Sequence, residues 1–323
     1  MQQARRAGVR GRLRTEHIRT RPLTLALLAL VLRRKAPSPH GRERWRRSTR
    51  PLALVLALLC AAPLSARAAP PRVASINLCT DQLLLALADP EQIVGLSPYA
   101  RDPARSWAAA EAAKHPVLSG TAEDPLALKP DWVLAGRYTK RATRDLLKAK
   151  GIPIAEFDAV RSLDEAKGQI SRAGALVGHP ERAEKLNAPL DAAAARARAA
   201  AARAPLSVLA LQRRGWASGT ESLVTSLLAV VGLTNAAAAL GLQAGGQVSL
   251  EAIVRAHPDL LLVTRDDTVA EDQGRALLLH PALQNLYPPA RRIVIPERLT
   301  VCGGPMLVEA LDRLAAEIER VAR

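Results

Sequence analysis

Residues 162–205 are a strongly helical span of Ala, Arg, Glu and Leu with nothing strand-like in it, and one phrase recurs on either side. Residues 123–134 read EDPLALKPDWVL and residues 251–262 read EAIVRAHPDLLL. In each, a Glu stands eight positions before an Asp that follows Pro, with apolar residues between and an apolar run after. Two comparable halves joined by helix are the arrangement this imposes.

Each half alternates short apolar runs with helical stretches. In the first, strands are expected at 72–77, 93–97, 133–135 and 152–157, with helices at 81–88 and 140–150, the latter stopped by Gly151. In the second, strands fall at 206–211, 260–264 and 292–295, with helices at 220–231 and 306–321. Strands alternating with helices predict an α/β fold with parallel, doubly wound sheets, here two Rossmann-like lobes joined by a long helix. Gly178, His179 and Pro180 break the connection in two. Its second piece, from 181 to about 203, would extend roughly 33 Å at 1.5 Å per residue, with Pro189 inside it as a bend or a first-turn residue. The Ala-rich stretch 192–204 reads as a solvent-facing spacer. Expected boundaries are a leader at 1–68, lobes at 69–160 and 206–323, and the connection at 161–205.

A formal charge of +16 invites a nucleic-acid reading, but 16 of the 46 Lys+Arg and only Glu16 and Glu43 of the acidic residues lie in 1–68. The remainder is almost neutral, so the basic footprint of a nucleic-acid binder is missing from the folded part. The leader has apolar runs at 22–32 and 51–64, each too short to span a bilayer as a helix. The second follows the basic stretch 44–50 and precedes Ala66-Arg67-Ala68, the layout of a cleavable secretory signal, against a retained anchor as the alternative. Export would place the mature chain, from about Ala69, in an oxidising compartment with Cys79 and Cys302 as its cysteines. A disulfide, a ligand- or metal-facing pair, and two inert side chains all remain open for them.

Ligands of open α/β sheets collect beyond the carboxyl ends of the strands. The loops there carry Tyr99, Arg101, Arg137 and Tyr138 in the first half, and Arg213, Arg214, Trp216, Arg265, Asp266, Asp267 and Arg298 in the second. Arg residues there suit an anionic ligand, since guanidinium binds carboxylate or phosphate through paired hydrogen bonds. The aromatic residues could stack on a flat macrocycle or, for Tyr, ligate haem iron. His115, His179, His257 and His280 each precede Pro and read as turn residues. No His pair has i, i+4 spacing, so a bare metal ion has no evident site. The Gly pairs at 245 and 303 read as hinges or as close backbone approaches. There is no nucleophile elbow, P-loop or dinucleotide fingerprint.

With these residues in view, the chain from 72 to 321 resembles the periplasmic substrate-binding proteins of ABC importers for vitamin B12, haem and ferric siderophores, the class III type with a helical backbone. The resemblance rests on RVASINLCTDQLLLALA, LALKPDWVLAG, ASGTESL, QVSLEAI and GGPMLVEALDRLA in that order. It departs where the family often has Pro-Ser and Thr-Glu; Leu78, Cys79, Asp81 and Gln82 stand there. The resemblance implies a non-enzymatic periplasmic receptor, a monomer with no permanently bound cofactor. It would deliver a metal chelate, by preference a ferric siderophore or a corrinoid and otherwise haem, to an inner-membrane ABC permease dimer. A cleft between the lobes would hold the ligand, with Cys79 among the residues lining it, and Glu123 and Glu251 would dock on permease Arg residues. The competing readings are a sensory module for the same ligands and a relative of nitrogenase-type enzymes, whose cysteine cluster ligands are missing here.

Overall fold

In the computed structural model, residues 69–200, 205–265, 274 and 276–322 are described. The leader with the expected signal, together with Asp266 and Asp267, lies outside them. The first lobe begins with β1 (Val73–Ser75), α1 (Leu78–Leu87) and β2 (Ile93–Gly95). It continues through α2 (Ala109–Ala112), α3 (Glu123–Leu128), β3 (Trp132–Gly136), α4 (Arg141–Ala149) and β4 (Ile154–Phe157). Its four strands are parallel in the order β2-β1-β3-β4, so all their carboxyl ends lie on one edge.

The connection is two helices, α5 (Leu163–Val177) and α6 (Pro180–Ala199). Ser162 caps α5 by accepting the Glu165 N–H. Gly178 ends the helix in the left-handed conformation at φ 83°, where a side chain would be strained. Pro180 then restarts the chain at the first position of α6, where its missing N–H costs nothing. The two helices pack closely at the turn: a Cβ on Gly174 would stand 2.7 Å from that of Ala183. Asp89, just past α1, fastens the start of α6 by accepting from Arg182 at 2.5 Å and pairing with His179 at 3.0 Å. The Ala-rich part of α6 is not the expected solvent-facing spacer, because Ala193, Ala194 and Ala197 are buried. Their small side chains let α10 lie close against α6, and Arg196 makes a two-pronged ion pair with Asp312 of α10.

The second lobe holds β5 (Ser207–Ala210), β6 (Trp216–Ser218), α7 (Leu223–Val230), β7 (Thr234–Asn235) and β8 (Gly245–Gln247). Then come α8 (Leu250–Ala256), β9 (Leu260–Val263), α9 (Pro281–Leu286), β10 (Arg292–Val294) and α10 (Leu307–Val321). Its sheet runs β10-β9-β5-β7, again all parallel. A two-stranded antiparallel ribbon, β6 with β8, stands beside it. Gly245 and Gly246 therefore belong to a strand rather than a hinge. A Cβ on Gly219 would lie 2.1 Å from the Gln243 carbonyl oxygen, which is why glycine occupies the ribbon's tight end.

One apolar core runs through both lobes. Leu83, Leu84 and Leu87 of α1, Ile170 of α5, Leu190 of α6, Leu227 of α7 and Leu307 and Leu311 of α10 belong to the same buried cluster. Cys79, in the first turn of α1, is bonded to Cys302, just before α10, closing a loop of 223 positions. Such a crosslink restricts the unfolded chain and typically contributes about 2–4 kcal/mol. The double variant C79S/C302S is therefore expected to lose about 3 kcal/mol and roughly 10 °C of melting temperature, measured by calorimetry. An unchanged midpoint would show that the bond does not form in solution.

Candidate functional site

The carboxyl edges of both sheets converge on the Cys79–Cys302 bond. A cavity of about 230 Å³ lies there, with Asn77, Arg137 and Tyr138 from the first lobe, Gln169 from α5, and Leu223, Thr300 and Val301 from the second. It abuts an outer depression of about 390 Å³ that shares Arg137, Tyr138, Asp158 and Gln169 and adds Arg161 and Arg172. Together the two reach the roughly 300–1,000 Å³ of ordinary small-molecule sites. A larger groove of about 640 Å³ follows the outside of α10, but its polar groups are engaged. Glu309 accepts from Trp107 and Arg298, Asp312 from Arg196, and Glu317 from Arg320 and the Val294 N–H. The cleft between the lobes is the better candidate.

Polar contacts and one close approach join the lobes. Arg161 pairs with Glu221 at 3.5 Å, and Trp107 Nε1 donates to Glu309 at 3.0 Å. Gly303 sits so close to Val160 that a Cβ there would be 2.6 Å away. That glycine serves a close approach of lobe to lobe, and it also lines the cavity.

Of the residues expected in the cleft, Cys79, Arg137 and Tyr138 line the cavity; Tyr99, Arg213, Arg214, Trp216 and Arg265 are exposed outside its lining, and Arg101 and Arg298 are engaged within their own lobes. Arg137 and Tyr138 follow β3 at its mouth; Arg137 pairs with Asp158 at 3.2 Å, and Tyr138 is 80% exposed. Tyr99, beyond β2, is half exposed with the Arg105 guanidinium 5.6 Å from its ring centre. Arg213 and Arg214 lie exposed in the turn between β5 and β6, where Arg214 (φ 57°) and Gly215 (φ 70°) are both left-handed. Trp216 begins β6 and is 44% exposed. Arg265 is exposed just beyond β9. Arg101 is turned to the service of its own lobe, donating to the carbonyls of Ala112, Ala113 and His115. Arg298 is held by Glu309 at 3.3 Å. Of the histidines, His257 takes the left-handed position after α8, and His280 caps α9 through the Ala282 N–H. Among the described residues no group of His, Cys, Asp and Glu could hold a bare metal ion.

Glu123 and Glu251 both stand exposed in the first turn of their helices, α3 and α8. The Thr121 hydroxyl and its own backbone amide hold the Glu123 carboxyl below its ordinary range. The Glu251 carboxyl is held low by its own backbone amide and by Ser249. Both are ionised at neutral pH.

The sequence matches the family model of the periplasmic binding protein over residues 73–292. The chain belongs to the periplasmic binding protein family. Among solved structures, this binding protein is similar to the periplasmic heme-binding protein RhuT from Roseiflexus sp. RS-1 in its apo form. The two are 27% identical with a TM-score of 0.65, over 79% of this chain and 100% of that one. It is also similar in fold to a periplasmic heme-binding protein from Pseudomonas aeruginosa, at 22% identity and TM-score 0.62 over 77% of this chain and 92% of that one. A possible iron-binding, periplasmic solute-binding protein from Staphylococcus epidermidis ATCC 12228 shares the fold at 18% identity and TM-score 0.60, over 77% and 99% of the two chains. No curated protein matches the sequence. Two α/β lobes with parallel sheets and a helical backbone are the architecture of this family, whose members deliver a small-molecule ligand to an ABC permease.

Sequence reasoning missed Asp81. It lies in the first turn of α1 with no exposed surface, and burial pushes its carboxyl from 3.8 up to about 7, against the opposing bonds from Ser75 and Ser97. Because the folded-state value is raised, the stabilising uptake of a proton is complete below the unfolded value near 4 and is lost as pH rises towards 7. Wild type should therefore lose on the order of 2 kcal/mol relative to D81N between pH 5 and pH 8. Melting both proteins across that range checks it; parallel profiles would show that Asp81 does not titrate in the native state.

Proposed function

We propose that this binding protein is a periplasmic receptor for a flat, anionic metal chelate, with haem ahead of a corrinoid or a ferric siderophore, and that it performs no chemistry on its ligand. The observation that carries this reading is where the aromatic residues are spent. The chain has four Trp, three Tyr and one Phe, yet Tyr99, Tyr138 and Trp216 stand 44–80% exposed. All three lie in segments that follow the carboxyl ends of strands. Leaving such rings partly in water forfeits on the order of 1 kcal/mol of burial each, and a planar ligand that stacks on them would recover it.

Tyr99 and Tyr138 can offer a phenolate to ferric iron, as Tyr does in some haem proteins. Arg137 stands where it could exchange Asp158 for an acidic arm of the ligand. The 27% identity to a heme-binding protein supports putting haem ahead of the other chelates. Export through a signal within residues 1–68 would deliver the chain to the periplasm. Glu123 and Glu251, one on each lobe, would then orient the loaded receptor on Arg residues of the permease, where exposed charge sets orientation and on-rate. A sensory module for the same ligand would not need that pair.

A ligand at 100 times its Kd stabilises the folded state by about 2.7 kcal/mol. Haemin at that excess should raise the melting temperature by about 5 °C or more, with cobinamide and ferric siderophores giving less. A set in which none of these compounds shifts the midpoint would overturn the ligand class. Charge reversal in E123R/E251R should abolish uptake in cells while the purified variant keeps wild-type affinity; lost affinity would move both residues into the ligand site.

A further inference from the structure

The first turn of α1 spends four consecutive side chains on contacts beyond its own helix, the first of them at the cleft. Cys79 is bonded to Cys302 of the second lobe, and the Thr80 hydroxyl meets that of Ser75 at 2.8 Å. Asp81 accepts the Ser97 N–H at 3.0 Å on one oxygen and the Ser97 hydroxyl at 2.5 Å on the other. The Ser97 oxygen in turn accepts the Tyr99 N–H at 3.3 Å. Gln82 accepts the Trp107 N–H at 2.9 Å. Asp81, Gln82 and Ser97 have no exposed surface, and Ser106 has 2%.

Segment 97–107 is therefore tied at its two ends to neighbouring residues on a single helical turn. Between those ties it has no strand and no regular helix, and it displays Tyr99 to solvent. From its far end Trp107 reaches across to Glu309 on α10. A carboxylate buried this completely carries a large desolvation cost, and apart from Ser75 the bonds that offset it go to the segment that presents Tyr99. Gln82 Nε2 and Ser106 Oγ, both buried, have no hydrogen-bond partner among the described residues, so Gln82 serves the segment at a further cost.

We propose that Asp81 and Gln82 are positioning residues for ligand capture: they hold segment 97–107 so that the Tyr99 ring meets the chelate in a preset place. This rests on the reading that a metal chelate occupies the cleft and touches Tyr99. Touching no ligand themselves, they would act only through the segment they hold.

Two measurements test this separately from the ligand class. In the ligand-free protein, hydrogen exchange of the backbone amides of 97–107 should accelerate at least tenfold in D81N and in Q82A, while α5 and α6 stay protected as in wild type. S97A, which removes only the hydroxyl joining Asp81 to the Tyr99 N–H, should behave likewise should D81N fail to fold. Unchanged exchange in 97–107 would overturn the positioning role whatever the ligand proves to be. In the bound state, haemin titrations of wild type, D81N, Y99A and D81N/Y99A form a double-mutant cycle. D81N and Y99A should each weaken haemin at least fivefold, and D81N should add nothing once Tyr99 is gone. Additive losses would overturn action through Tyr99. Failure of the wild type to bind haemin, cobinamide or a ferric siderophore would overturn the ligand reading instead, and the exchange data would still decide the anchoring.

Discussion

A buried apolar seam joins the two lobes, and the rest of the molecule depends on it. Leu83 and Leu87 of α1, Ile170 of α5, Leu190 of α6, Leu227 of α7 and Leu307 of α10 form one buried apolar cluster. Opening the lobes would return that surface to water at about 25 cal/mol for each Å². The Cys79–Cys302 bond lies at the cleft end of the same seam. A receptor with two loosely hinged domains captures ligand by closing on it; one whose lobes share a core must have its cleft largely in place beforehand. Preorganisation of this kind lowers the ordering cost of binding.

What can move, then, is the rim. Tyr99 and Tyr138 stand on loops, where backbone contacts are fewest and local opening is cheapest, and Trp216 stands at the start of β6. The cross-lobe polar contacts are also at the surface. Arg161–Glu221 and Trp107–Glu309 are exposed, and exposed pairs contribute little to stability. They register one lobe against the other while the apolar seam carries the load.

The architecture was legible because hydrophobic periodicity and punctuation agree. The strand runs ending at Ser75, Phe157 and Val263, the Gly178–Pro180 break and the amphipathic α10 all lie where their residues place them. The β6–β8 ribbon was not, since WAS and GGQ are too short and too glycine-rich to read as strands. Nor was the packing of α6, because alanine is equally at home on an exposed helix face and at a close helix contact. Loop position alone brought Arg137 and Tyr138 to the cleft but could not separate them from Arg101 and Arg298, whose guanidinium groups are used within their own lobes. That difference depends on where the Ala112, Ala113 and His115 carbonyls and the Glu309 carboxylate fall in space. The buried Asp81 gave no signal either, since an acidic residue in the first turn of a helix is what the helix dipole alone would favour.

The claim that the cleft is preformed meets its most direct test in the distance between the lobes. Spin labels at Arg141 of α4 and Arg255 of α8, both exposed, would report it by pulsed electron resonance without disturbing the seam. A single narrow distance that haemin changes by no more than about 1–2 Å, the range of preorganised complexes, is expected. Two populations in the ligand-free protein, or a larger displacement on binding, would contradict a cleft held open by a shared core.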